Sequence, residues 1–188
     1  MEKRILTAPV QLETREDETP VIKGYFAVFD SNYEICDGYT ESIDRHAFDD
    51  QLNRDVRALV NHDMSRVLGR TTAGTLRLRV DDHGLYGEVS VNPKDTDAMN
   101  CYERVKRGDV SQCSFGFDIQ EETCDHKDDR THWTIKALDL YEVSVCTFPA
   151  YEATSVSARG DDIRKDKARQ LQIWKEKEKK RLKGEDNV

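Results

Sequence analysis

The sequence predicts a mainly β fold, with one internal helix and a charged helical tail. Three observations carry that expectation. Residues 75–91, TLRLRVDDHGLYGEVSV, alternate apolar and polar residues on both sides of a turn-rich Asp81-Asp82-His83-Gly84, the pattern of a β-hairpin with one buried face. Several further runs rich in Val, Ile, Phe and Tyr are separated by Gly, Pro and Asp, as strands are. Beyond Tyr151 the composition changes to Lys/Glu pairs with sparse apolar residues, which suits a solvated helix.

Taken in order, residues 4–14 and 21–29 read as strands, with Pro20 between them. Residues 31–40 are polar and contain Gly38, which predicts a loop. Ile43, Phe48 and Leu52 support only a short helix or turn. Val56–Val60 is apolar and β-prone, and it ends abruptly in Asn61-His62-Asp63. After Pro93 a helix is expected over 95–107, capped by Asp95 or Thr96 and stopped by Gly108, with Ala98, Met99, Tyr102 and Val105 at helical spacing. Residues 111–120 return to strand character, 121–132 read as a polar loop, and 133–148 as one or two strands ending at Pro149. About seven to eight strands with returning hairpins favour a closed or nearly closed β-barrel core over an open parallel sheet.

The length of 188 residues suits one domain with an appendage. We divide the chain into a β domain, residues 1–157, and a charged helical tail, residues 158–188. The tail carries eleven Lys/Arg against seven Asp/Glu, a net +4, which leaves the body with 18 against 30, a net −12. An acidic body argues against nucleic acid as partner, because phosphate binding needs a basic footprint; it suits a basic peptide or protein. No run approaches the roughly 18–20 apolar residues of a membrane span, and the N-terminus lacks a secretory apolar segment. A soluble intracellular protein is expected. The five cysteines form no CxxC pair and no metal-ligand spacing, so they read as reduced thiols.

Three residues stand out chemically. His62 closes an apolar strand, and a strand end is a rigid mount for directed chemistry; local sequence alone favours a plain polar strand-end residue. Ser114, in QCSFGF, reads either as a small buried hydroxyl or as a nucleophile, with Gly116 letting a substrate backbone approach. Glu142 interrupts the apolar run LDLYEVSVCTF, where an unpaired carboxylate is costly. Strict alternation places it with Leu140 and Ser144. It is either a surface residue or the acceptor that orients a histidine. Together they are the minimum inventory of an acyl-transfer triad.

The chain resembles the prohead (capsid-maturation) serine proteases of tailed bacteriophages, a family distantly similar in fold to herpesvirus assemblin. The matching pieces are GYFAVFD (24–30), LVNHD and LGRTTAGTLRL (59–78), GLYGEVSV (84–91), RGDVSQCSFGF (107–117) and LYEVSVCTFPAYEAT (140–154). They cover most of residues 20–155; the tail lies outside them. The resemblance implies an assemblin-like β-barrel core ringed by helices and a serine endopeptidase. It places the catalytic histidine at His62, the nucleophile at Ser114 and the third member at Glu142. It calls for no metal or cofactor.

Implied substrates are the major capsid protein or its scaffolding segment, with self-cleavage and a homodimer as further expectations. The implied place is the bacterial host cytoplasm, inside assembling proheads of a phage or prophage. Asp63 ranks below Glu142 as orienting acid, Arg70 is either a further contributor near His62 or only a partner for an acidic surface, and residues 146–148 are candidate oxyanion donors. Two other readings stay open on sequence alone: a non-catalytic capsid assembly or scaffolding module, and a metal-dependent hydrolase using His62, Asp63 and His83, whose spacing matches no metal motif.

Overall fold

The computed structural model describes residues 2–9, 11–14, 19–127, 130–148 and 160–183. The chain runs β1 (Glu2–Pro9), β2 (Gln11–Thr14), β3 (Pro20–Val28), β4 (Tyr33–Cys36), β5 (Tyr39–Ile43), a 3-10 turn (Arg45–Phe48), β6 (Arg57–Val60) and β7 (Asp63–Arg70). It continues through β8 (Leu76–Val80), β9 (Gly84–Ser90), α1 (Thr96–Arg107), β10 (Gln112–Lys127), β11 (Arg130–Cys146) and α2 (Gly160–Lys183). The mainly β expectation is borne out. The strands nevertheless form two sheets rather than one closed barrel. The larger has the order β1-β10-β11-β5-β4, with β6 also on β11 and β7 on β6; the smaller has the order β2-β3-β9-β8. No ladder joins the two among the described residues.

The two sheets meet where β3 packs on β1 and β10. Ile22, Phe26, Leu85, Phe48, Phe115, Phe117, Leu138 and Val143 are buried in the shared core. Burial of these side chains at roughly 1.5–3 kcal/mol each is the main source of cohesion. The predicted hairpin is present as β8–β9, paired from Leu76↔Val89 to Val80↔Leu85. The predicted helix is α1, with Asp95 Oδ1 accepting from the N–H groups of Asp97 and Ala98 and Gly108 left-handed at φ 84°.

Two expected loops are strands. Residues 33–36 and 39–43 pair as β4 and β5 around Asp37-Gly38. Residues 121–127 continue β10, pairing Glu122↔Ile135, Cys124↔Trp133 and Lys127↔Arg130. Their polarity hid them, because a ladder satisfies backbone groups whatever the side chains are. β5 adds a parallel strand here, Thr131↔Tyr39 to Ile135↔Ile43. His132 bridges the hydroxyls of Thr40 and Ser42 at 2.8 and 2.9 Å.

The tail forms the expected helix, α2, but its first half is not simply solvated. Ile163 is buried with Ile35, Tyr39 and Trp133 in a second apolar cluster. Asp166 is buried beside it and accepts from Thr131 Oγ1 at 2.8 Å and Gln170 Nε2 at 3.0 Å. The later residues Leu171, Ile173 and Trp174 are exposed. The boundary placed at residue 157 lies outside the described residues, as does Pro149. No described helix is long and apolar enough to cross a membrane.

Because Ile163 belongs to the second cluster and not to the main core, Ile163→Ala should loosen α2 and spare β10 and β11. The loss, about 2–3 kcal/mol, corresponds to roughly 30–150-fold less amide protection in the first turns of α2. Hydrogen exchange measures this. Unchanged protection there would show that Ile163 does not anchor the helix.

Candidate active site

Strand β6 reverses into β7 through Asn61 and His62, with Val60 and Asp63 facing each other across the turn. Both turn residues have positive φ, 52° and 59°. A two-residue hairpin loop of the primed kind demands that conformation. Asparagine adopts it readily, histidine less so, so the turn needs external support. Asn61 N–H donates to the Val145 carbonyl at 2.9 Å. Its side-chain Oδ1 accepts from Thr147 N–H at 2.9 Å, and its Nδ2 donates to Thr147 Oγ1 at 3.3 Å. The turn is thereby docked on the end of β11, and Thr147 N–H is already engaged rather than free for an oxyanion.

β11 corrects one feature of the sequence reading. Gly116 pairs with Glu142 but Phe117 pairs with Leu140, so Tyr141 is an extra residue, a β-bulge. Leu140, Val143 and Val145 all lie in the core, which strict alternation forbids and the bulge permits. Glu142 is therefore turned to the face opposite Leu140. Re-aiming one side chain without losing core contacts is what bulges accomplish.

On that face Glu142 meets the histidine. Its Oε1 accepts from His62 Nδ1 at 2.6 Å, with both side chains at least nine-tenths buried. A carboxylate only accepts, so the proton sits on Nδ1 and Nε2 is left as the acceptor. Gly116 makes the room: a Cβ there would stand 2.3 Å from Glu142 Oε1. Its small size thus serves the carboxylate.

Ser114 lies between Cys113 and Phe115, both of which enter the core, so strand alternation sends its side chain to the face of Gly116 and Glu142. It pairs across the ladder with Ser144, flanked by the pairs Gly116↔Glu142 and Gln112↔Cys146. The imidazole spans these rows, with Nδ1 at Glu142 and Nε2 3.8 Å from Cys146 Sγ. The Ser114–Ser144 row is the one between the Glu142 and Cys146 rows that the ring's two nitrogens contact. Ser114 is fully buried.

A family model, caudovirus prohead serine protease, matches residues 8–169. The chain belongs to this family. It is a serine protease of phage capsid maturation, one that acts within assembling proheads on capsid proteins. No curated protein and no solved structure matches it. The matched span of the protease includes His62, Ser114 and Glu142, and it reaches into α2.

The protease's remaining candidates are occupied elsewhere. Asp63 is exposed and accepts from Ser65 N–H and Oγ at 2.9 and 2.6 Å, which hold its carboxyl below the usual range. Arg70 forms a two-pronged contact with Asp55 at 2.7 and 2.6 Å, and it pairs across β6–β7 with Arg57, away from the turn. His83 rests edge-on against Tyr25. Burial pushes the Cys113 and Cys101 thiols up, so neither is a ready thiolate. Among the described residues no three His, Cys, Asp or Glu are grouped to hold a metal.

Sequence reasoning passed over Asn61 as support for the turn and Cys146 as a neighbour of Nε2. The signal for Asn61 was available: Asn is the residue most suited to a left-handed turn position. Gly116→Ala should displace the Glu142 carboxylate, the far end of a flexible side chain, and leave the protein folded. We expect peptidase activity to fall at least tenfold with little change in melting temperature. Full activity would show that Glu142 does not depend on this space.

Proposed function

We propose that the protease uses Ser114 as nucleophile, His62 as general base and Glu142 as the acid that orients His62. The observation that carries this reading is the His62 Nδ1–Glu142 contact, which leaves Nε2 as acceptor over the rows that include Ser114. In the reaction Ser114 Oγ attacks the scissile carbonyl carbon and its proton passes to Nε2. Glu142 stabilises the imidazolium that results. The tetrahedral intermediate collapses, the leaving amine takes the proton from Nε2, and water repeats the sequence on the acyl-enzyme. Asp63, solvated and bonded to Ser65, is poorly suited to the orienting role.

The substrate we propose is the scaffolding segment of the major capsid protein, cut inside proheads assembling in the bacterial host cytoplasm. The acidic body, net −12 over residues 1–157, favours approach of basic segments.

Co-expression with the capsid protein tests the assignment. Ser114→Ala and His62→Ala should each abolish processing while leaving the protein folded, since loss of a strand hydroxyl costs about 1–2 kcal/mol. Glu142→Gln should be milder by about 10–100-fold, as orienting acids are. If Ser114→Ala still processes capsid protein and Cys146→Ala does not, the thiol beside Nε2 is the nucleophile and the assignment fails.

A further inference from the structure

Ser144 is fully buried, and its hydroxyl makes two bonds that both end on the catalytic pair. Ser144 Oγ donates to Glu142 Oε2 at 2.5 Å and accepts from the backbone N–H of His62 at 3.2 Å. The carboxylate is thereby held at both oxygens, Oε1 by the imidazole and Oε2 by the hydroxyl. The backbone of His62 is held in its left-handed conformation, φ 59°, by the same oxygen atom. A hydroxyl has one proton to give and lone pairs to receive, so a single serine joins the turn that carries the base to the acid that orients it.

We propose that Ser144 is a positioning residue: it fixes the His62 turn and the Glu142 carboxylate relative to each other, and so sets the direction of Nε2. The proposal rests on the assignment of His62 and Glu142 above, and goes beyond it by naming what holds them. Neighbouring groups cannot replace it. Asn61 and Thr147 fix the near side of the turn, through Asn61's own amide and side chain, but neither reaches Glu142. Alanine at 144 would leave Glu142 Oε2 without this donor and His62 N–H without this acceptor, both in a buried place where such groups are expensive to leave unpaired. The strand ladder Ser114↔Ser144 is backbone and would survive, so the expected defect is in aim rather than in fold.

The test has two readouts that separate this proposal from the assignment beneath it. In the Ser114→Ala protein the short Nδ1–H···carboxylate bond gives a far-downfield proton resonance, which depends on His62 and Glu142 but not on the nucleophile. Adding Ser144→Ala should abolish or broaden that resonance while the far-ultraviolet dichroism is retained; adding Ser144→Thr, which restores a hydroxyl, should keep it. In the protein with Ser114 intact, the rate of modification by a fluorophosphonate should fall about 10–100-fold in Ser144→Ala, with substantial recovery in Ser144→Thr. A folded Ser144→Ala protein that keeps both the resonance and the labelling rate overturns the proposal. Should the alanine variant not fold, a folded threonine variant decides: the resonance retained supports the role, the resonance lost contradicts it. Absence of labelling dependence on Ser114 itself would strike at the nucleophile assignment and leave the resonance result standing.

Discussion

A buried hydrogen bond between His62 and Glu142 organises this protein, and much of the local architecture exists to permit it. A carboxylate placed in a β-sheet interior is costly unless its lone pairs are satisfied. Three features meet that condition. The bulge at Tyr141 turns Glu142 away from the core while Leu140 and Val143 stay in it. Gly116 on the adjacent strand vacates the volume that the carboxylate fills. The left-handed turn Asn61–His62 brings the imidazole back over the sheet. Each is unremarkable alone; their coincidence at one point of the sheet is what makes a site.

The parts of the fold legible in the sequence were those where one local signal dominated. Alternation around Asp81–Gly84 specified β8–β9, and Asp95 with Gly108 bracketed α1. The illegible parts depend on partners distant in sequence. Strand pairing through 121–127 is set by β11, not by hydrophobic pattern. Burial of Ile163 and Asp166 needs Trp133 and Thr131, which no reading of the tail alone supplies. The separation into two sheets likewise turns on which strands share ladders, and strand count cannot reveal that.

The site shows the same division. His62 and Glu142 were found because each broke a pattern, a histidine closing an apolar strand and a carboxylate inside one. Their contact was implied by the family resemblance and not by local pattern, since simple alternation put Glu142 beside Leu140. The bulge that reverses this has no sequence signature other than the conflict itself, an acid in a run whose Leu140, Val143 and Val145 all belong to the core. Such a conflict between local rule and fold is where a functional site is to be expected. Gly116 was noticed for its lack of a side chain, but the carboxylate that fills this space could not be read from the sequence.

If the buried His62–Glu142 pair activates Ser114, this serine should react with an electrophile that the other serines resist. The direct measurement is treatment of the purified protein with a fluorophosphonate, followed by proteolytic digestion and mass mapping of the adduct. We expect one phosphonyl group, on the peptide that contains Ser114, formed in a reaction that His62→Ala suppresses by at least 10³-fold. An adduct on another serine, or labelling of Ser114 at the same rate without His62, would contradict it.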